Sequence, residues 1–180
     1  MPDEPDGGLL RRFVQGDTEA FESLFRQFEV EVYRWILSIV RDSGAAEDAV
    51  VETFWRAYRG RARFDTSRSF GAWIRRIATN AARDQLRAAR SRGWNQSDIE
   101  LAAPVARRED GSDESRASVA RAFAGLPPRL QVAATLALIE ERPYAEIADT
   151  LGVPMGTVKS RVFRAIRTLR KELTRMGIRT

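Results

Sequence analysis

Pro143-Tyr144-Ala145-Glu146-Ile147-Ala148-Asp149-Thr150-Leu151-Gly152-Val153-Pro154 is the stretch on which the fold turns. Pro143 suits the first position of a helix, Gly152 suits the left-handed residue after it, and Pro154 opens a second helix. Two helices joined by so short a turn make a helix-turn-helix. In the second helix Val158, Val162, Ile166, Leu169 and Leu173 fall within about 80° of one another at 100° per residue, which predicts the buried seam. The opposite side holds Ser160, Phe163, Arg164, Arg167 and Lys171, with Lys159 and Arg161 on the flanks. From Thr157 onward eight basic residues face one acid, Glu172. A basic outward face on this helix fits the DNA major groove, with a plain solvated charged face as the alternative. Phe163 gains little in water, but beside Ser160 and Arg164 it is placed to press on a thymine methyl or a sugar; an end-of-core place is its alternative.

Working outward toward the N-terminus, the pattern predicts an apolar helix from Leu130 to Ile139, a break at Gly125-Leu126-Pro127-Pro128, and a helix around Ser118 to Ala124. Before these, residues 93–116 carry 3 basic and 6 acidic side chains with Gly, Ser and Pro104. That composition reads as a flexible linker. Residues 117–180 hold 11 basic and 5 acidic side chains, and residues 9–92 hold 16 and 11. The expectation is therefore an all-α protein of two small helical domains, 9–92 and 117–180, joined by an acidic linker, the C-terminal one a helix-turn-helix.

In the first block apolar residues recur at three and four rather than at two, so helices are expected throughout. A short one spans Leu9 to Gln15 and stops at Gly16. Asp17 then caps a long helix with the face Phe21, Leu24, Phe25, Phe28, Val32, Trp35, Ile36, Ile39, ended by Ser43-Gly44. The next, Ala45 to Arg59, sets Ala46, Val50, Thr53, Phe54 and Ala57 in one stripe and turns Trp55 about 140° away from it, among Asp48, Val51, Glu52 and Arg59. An exposed Trp rimmed by charge has the make-up of a protein-interface anchor, and packing against another helix is its alternative. The third helix starts near Ser69 and packs Phe70, Ile74, Ile77, Ala81 and Ala88, leaving Arg75, Arg76, Arg83, Arg87 and Arg90 on the other side. Trp73 and Asn80 share the edge between the two faces, behind the segment Phe64-Asp65-Thr66-Ser67-Arg68-Ser69-Phe70. An aromatic surface, an amide and several arginines suit single-stranded nucleic acid; core packing for Trp73 and a local hydrogen bond for Asn80 are the alternative.

Composition narrows the function. The 180 residues include neither Cys nor His and carry a net charge of +5. Disulfides, the usual zinc sites, thiol nucleophiles and histidine acid-base chemistry are excluded, no cofactor motif stands out, and a polyanionic partner is favoured. No run reaches the roughly 20 apolar residues of a membrane span, and Met1-Pro2-Asp3-Glu4-Pro5-Asp6 lacks the features of an export signal, so a cytoplasmic place without membrane insertion is expected.

At this point the chain resembles the extracytoplasmic-function sigma factors, the small subfamily of the bacterial sigma-70 family, along nearly its whole length. Region two is matched by Asp17-x-x-Ala20-Phe21-x-x-Leu24-Phe25, by Ala46-Glu47-Asp48 through Phe54, and by Phe70-x-x-Trp73-Ile74-x-x-Ile77-Ala78-x-Asn80 with Leu86-Arg87. Region four follows as Leu126-Pro127, Glu146-Ile147-Ala148-x-x-Leu151-Gly152 and Gly156-Thr157-Val158-Lys159-Ser160-Arg161. The resemblance implies a non-enzymatic specificity subunit that binds core RNA polymerase through its beta and beta-prime subunits and recognises promoter DNA, both duplex and single-stranded. It implies stress-responsive regulation, an anti-sigma protein as a further partner, and association with the nucleoid when active. Asp48, Val51, Glu52 and Trp55 would meet the coiled-coil clamp of the largest polymerase subunit. Phe64, Ser67 and Arg68 would belong to the base-selecting loop of the minus-ten element, with Trp73 also on the minus-ten strand; Asn80 would help form the pocket for an extruded base, and Arg76, Arg83 and Arg87 would follow the backbone. Thr157, Lys159, Ser160, Arg161, Phe163, Arg164 and Arg167 would read the minus-35 duplex. The linker would thread toward the RNA exit path. Two positions depart from the family's pattern: Val51 stands where glutamine is usual, and Glu141-Arg142-Pro143-Tyr144 replaces a glycine-containing turn.

Two rival readings come from other classes. A dimeric helix-turn-helix regulator acting without polymerase would need residues 9–92 to be a dimerisation or ligand domain, which the outward Trp55 and the arginine-faced third helix do not suit. A nucleic-acid enzyme would need a phosphate loop or a carboxylate set for metals, and neither motif is seen.

Overall fold

A computed structural model describes residues 3–92 and 112–178, with side chains in the second stretch from residue 116. Among the described residues every regular element is helical. They divide into two compact units, Met1–Gln85 and Leu86–Thr180. The division falls inside one long helix. Most of the expected acidic linker, residues 93–111, lies outside the described residues, while its last residues, from Ser112, are already helical.

In the first unit α1 (Gly7–Val14), α2 (Thr18–Val40) and α3 (Ser43–Gly60) each begin at an aspartate. Asp6, Asp17 and Asp42 accept hydrogen bonds from first-turn N–H groups that have no helical partner, which fixes where each helix starts. Asp42 also corrects the sequence reading of the α2 end. The helix stops at Arg41, which takes the left-handed conformation (φ 56°), and Ser43-Gly44 form the first turn of α3. Gly16, at φ 93°, turns the chain between α1 and α2, where a side chain would be strained and would crowd the Arg61 guanidinium.

A 3-10 turn, Arg61–Arg63, and a loop lead to α4 (Phe70–Ser91). The core is a cluster of rings. Phe13, Phe28, Phe64 and Phe70 are buried, and Phe70 meets the other three edge to face at 5.1–5.7 Å between centroids. On α3 it is Ala49 rather than Val50 that is buried, with Ala46, Thr53, Phe54 and Ala57. On α4 Phe70, Ile74 and Ala81 are buried as expected, joined by Ala78, Thr79 and Ala82, while Ile77 is half-buried. Ala88 is exposed, because burial along α4 ends at Ala82. Arg75 departs from its expected outward face: its guanidinium lies 4.7 Å over the Trp35 ring, which shelters its stem.

In the second unit α5 (Ser112–Ala124) precedes α6 (Pro128–Ala134), whose last carbonyls run on into a π-helical turn, Thr135–Ile139. Then come α7 (Tyr144–Leu151) and α8 (Met155–Arg175). Pro143 and Pro154 stand one residue earlier than the pattern suggests, at the N-caps with extended ψ, and Pro128 takes the first helical position instead. Gly152 is left-handed (φ 61°), and the N–H of Val153 reaches back to the Ala148 carbonyl at 3.0 Å, which closes α7 and aims the chain into α8. Ala122, Phe123, Leu126, Ala134, Ala165 and Leu169 form the core under this motif.

Candidate nucleic-acid and polymerase interfaces

The second helix of the helix-turn-helix presents the face its sequence promised. Val158, Val162, Ala165 and Leu169 are buried, while Lys159, Ser160, Phe163, Arg164 and Arg167 are exposed. Thr157 and Arg161 are half-buried at the edges. The seam differs in one respect: Ala165 lies at its centre and Ile166 and Leu173 are only half-buried, because Ala134 and Ala165 leave room for α6 and α8 to approach there. Phe163 is 68% exposed, so an end-of-core place is not its position. The Ser160 hydroxyl donates to the Thr157 carbonyl at 3.0 Å, which leaves its oxygen as an outward acceptor.

Along α4, Trp73, Arg76, Asn80, Arg83 and Arg87 fall within about 80° of one another at 100° per residue, so they form one stripe. Arg76 and Arg87 are exposed, and Trp73, Asn80 and Arg83 half-buried. Trp73 rests against Phe64 (4.7 Å) and Phe70 (5.6 Å), so its ring is held by the core while part of it reaches solvent.

The loop ahead of α4 is shaped locally. Asp65 Oδ1 accepts from the N–H and the hydroxyl of Ser67, at 3.0 and 2.7 Å, and Arg68 Nε pairs with Asp65 Oδ2 at 3.4 Å. The Ser67 bonds, with Arg68 behind them, hold the Asp65 carboxyl below the usual carboxylate range. Ser67 and Arg68 are exposed. Phe64 is not: at 6% exposure, with its ring among Phe70 and Trp73, it anchors the loop and does not offer a surface to a base. The ring cluster sets Phe64 apart from the base-reading place that the resemblance implied for it.

On α3 the outward patch is real. Val51 is 70% and Trp55 54% exposed, Asp48 is exposed, and the Arg59 guanidinium lies 6.0 Å from the Trp55 ring centroid. Glu52 is engaged at its side by Arg56, which binds it at 2.6 Å and bridges to Asp84 on α4 at 2.9 Å. Sequence reading missed Arg56; its i,i+4 spacing from Glu52 was the available signal. Beside the patch, Glu29, Val30, Tyr33, Glu47, Val50 and Val51 line an open groove of about 420 Å³ between α2 and α3. No helix among the described residues is long and apolar enough to cross a membrane.

A model of sigma-70 region 2 matches residues 24–92, and one of sigma-70 region 4 matches residues 116–169. The chain is 32% identical to the RNA polymerase sigma-H factor of Pseudomonas aeruginosa, over 96% of each chain. It is 34% identical to the ECF RNA polymerase sigma factor SigM of Mycobacterium tuberculosis, over 89% of this chain and 80% of that one. Among solved structures, the sigma factor RpoE of Bartonella quintana, crystallised with the anti-sigma factor NepR, superposes with a TM-score of 0.54 at 25% identity, covering 86% of this chain and 96% of the other.

Proposed function

The chain belongs to the extracytoplasmic-function branch of the sigma-70 family, and we propose that its two helical units divide promoter recognition between them. It is a sigma factor, which acts with RNA polymerase in promoter-specific initiation of transcription. In the division of labour, residues 117–180 take the minus-35 duplex. Lys159, Ser160, Phe163, Arg164 and Arg167 enter the major groove, with Thr157 and Arg161 at its edges. Residues 9–92 take polymerase and the melted minus-ten strand. Asp48, Val51, Glu52 and Trp55 dock on the clamp of the beta-prime subunit, with the beta subunit as a further partner. Ser67 and Arg68 select bases, Trp73 stacks, Asn80 bonds the edge of an extruded base, and Arg76, Arg83 and Arg87 follow its phosphates. Phe64 supports the loop from beneath. The anti-sigma partner of the Bartonella quintana relative supports a regulator of the same kind here.

The observation that carries this reading is the single stripe on α4 joining an aromatic ring, an amide and three guanidinium groups. A dimeric regulator bound to duplex DNA has no use for it. Asn80→Ala tests the division, because an amide that holds an extruded base contributes only after the duplex opens. The variant should bind core polymerase and form closed complexes as the parent does, yet show reduced permanganate reactivity over the minus-ten element. A premelted template should restore opening without restoring discrimination at the extruded position. Parental melting and parental discrimination would make Asn80 a structural amide only.

A further inference from the structure

Glu4 is separated from Ser69 by most of the first unit in sequence, and the two touch. The start of α4 needs partners for the N–H groups of its first turn. Ser69 supplies one of them, its hydroxyl oxygen accepting from Ala72 N–H at 3.1 Å, while its carbonyl takes the first ordinary helical bond, from Trp73 N–H at 3.2 Å. The N–H groups of Phe70 and Gly71 remain, and both residues are buried. They donate to Glu4, Phe70 to Oε2 at 3.0 Å and Gly71 to Oε1 at 3.3 Å, while the Ser69 hydroxyl donates to Glu4 Oε1. One carboxylate thus completes the cap of a helix to which it does not belong, with its charge at the positive end of the α4 dipole.

Glu4 is itself tethered on both sides. The Asp3 carbonyl accepts from Gln27 Nε2 of α2 at 2.8 Å, and Asp6 caps α1 through the N–H groups of Gly8 and Leu9. Pro5, between them, has a fixed φ. The loop from Asp65 to Ser69 therefore has two fixed ends. Phe64 is sunk in the ring cluster at one, and the Ser69–Glu4 contact holds the other; Ser67 and Arg68 stand exposed between.

We propose that Glu4 is a positioning residue for minus-ten base selection: its carboxylate fixes the point at which the loop joins α4, and so where Ser67 and Arg68 stand relative to Trp73 and Asn80. The inference rests on the reading of that loop as a base reader. Without the carboxylate, Ser69, Phe70 and Gly71 lose a shared anchor and the loop samples other positions, so selection among bases weakens while distant functions persist.

The test uses full-length Glu4→Ala and Glu4→Gln in holoenzyme on premelted templates carrying each of the four bases in turn at minus-ten positions. Glu4→Ala should reduce discrimination among bases by about tenfold, the equivalent of one good hydrogen bond. Glu4→Gln keeps one acceptor oxygen and should fall between Ala and the parent. Core-polymerase affinity and the upstream footprint should stay at parental values. Parental discrimination in both variants overturns the proposal, whatever happens to thermal stability. Parallel loss of core affinity and upstream binding also overturns it, since Glu4 is then a residue of the fold alone. Ser67→Ala and Arg68→Ala separate the two levels: if neither alters discrimination, the loop reading itself fails, whereas an effect there with none at Glu4 defeats only the positioning role.

Discussion

The indole Nε1 of Trp35 donates a buried 2.9 Å hydrogen bond to Oγ1 of Thr79, and so ties α2 to the helix that carries Trp73 and Asn80. Thr79 in turn donates to the Arg75 carbonyl at 2.8 Å, and the Arg75 guanidinium covers the same indole ring. Thr79→Val keeps the shape but leaves the indole N–H unpaired in the core. It should lower stability by about 1–3 kcal/mol, read as a reduced urea midpoint, with Thr79→Ser near the parent. Equal midpoints for Val and Ser would show that the bond adds nothing.

Trp55 is half in solvent, so its truncation should spare the helical fold and weaken docking. Trp55→Ala should cost more than about 1 kcal/mol in affinity for core polymerase, and about 2 or more if it is a hot spot. Titration of labelled protein with core polymerase measures it, with circular dichroism as the control for folding. An unchanged dissociation constant would remove Trp55 from the interface.

Lys159 and Arg164 are exposed on α8, one at its start and one a turn and a half later. Replacing either with Ala should weaken footprints over the upstream element. Loss of one phosphate contact should reduce the log-log salt slope by about 0.9, and loss of a base contact should relax sequence preference by about 1–3 kcal/mol. Parental footprints for both variants at matched salt would displace the recognition face.

Asp17 gives the fold a dependence on acid. Arg12 Nε donates to its carboxylate at 2.6 Å, and the N–H groups of Ala20 and Glu19 add to this, so the Asp17 carboxyl lies below the usual range in the folded chain. A lowered folded value means that the contribution is complete above the unfolded aspartate range of about 4 and is lost as pH falls through the folded value. The urea midpoint of Asp17→Asn should therefore lie below that of the parent at neutral pH and converge with it as the solution is acidified. Curves that stay parallel from neutral pH to pH 3 would contradict this.

The helices were legible because apolar spacing of three and four residues is set by the chain itself. The outward positions of Trp55, Phe163 and Arg164 followed from the same wheel. Features decided by neighbours distant in sequence were not legible. Arg75 looked cationic and outward until Trp35 came beneath it. Ala88 fits the core period of α4, yet burial along that helix ends at Ala82. Glu4 read only as one of three acids near the start, since nothing local joins it to Ser69. Asp42, by contrast, carried a local signal: an aspartate three residues before Ala45 is a sufficient reason to start α3 at Ser43.

The central claim, that this chain directs polymerase to promoters through two separate helical units, is tested most directly by sequencing the 5′ ends of transcripts made in vitro from fragmented genomic DNA by core polymerase with and without the protein. New starts should appear only with the protein, each preceded by a shared minus-ten element and a shared minus-35 element. Asn80→Ala should weaken the first requirement and Arg164→Ala the second. An identical set of starts with and without the protein would contradict the account.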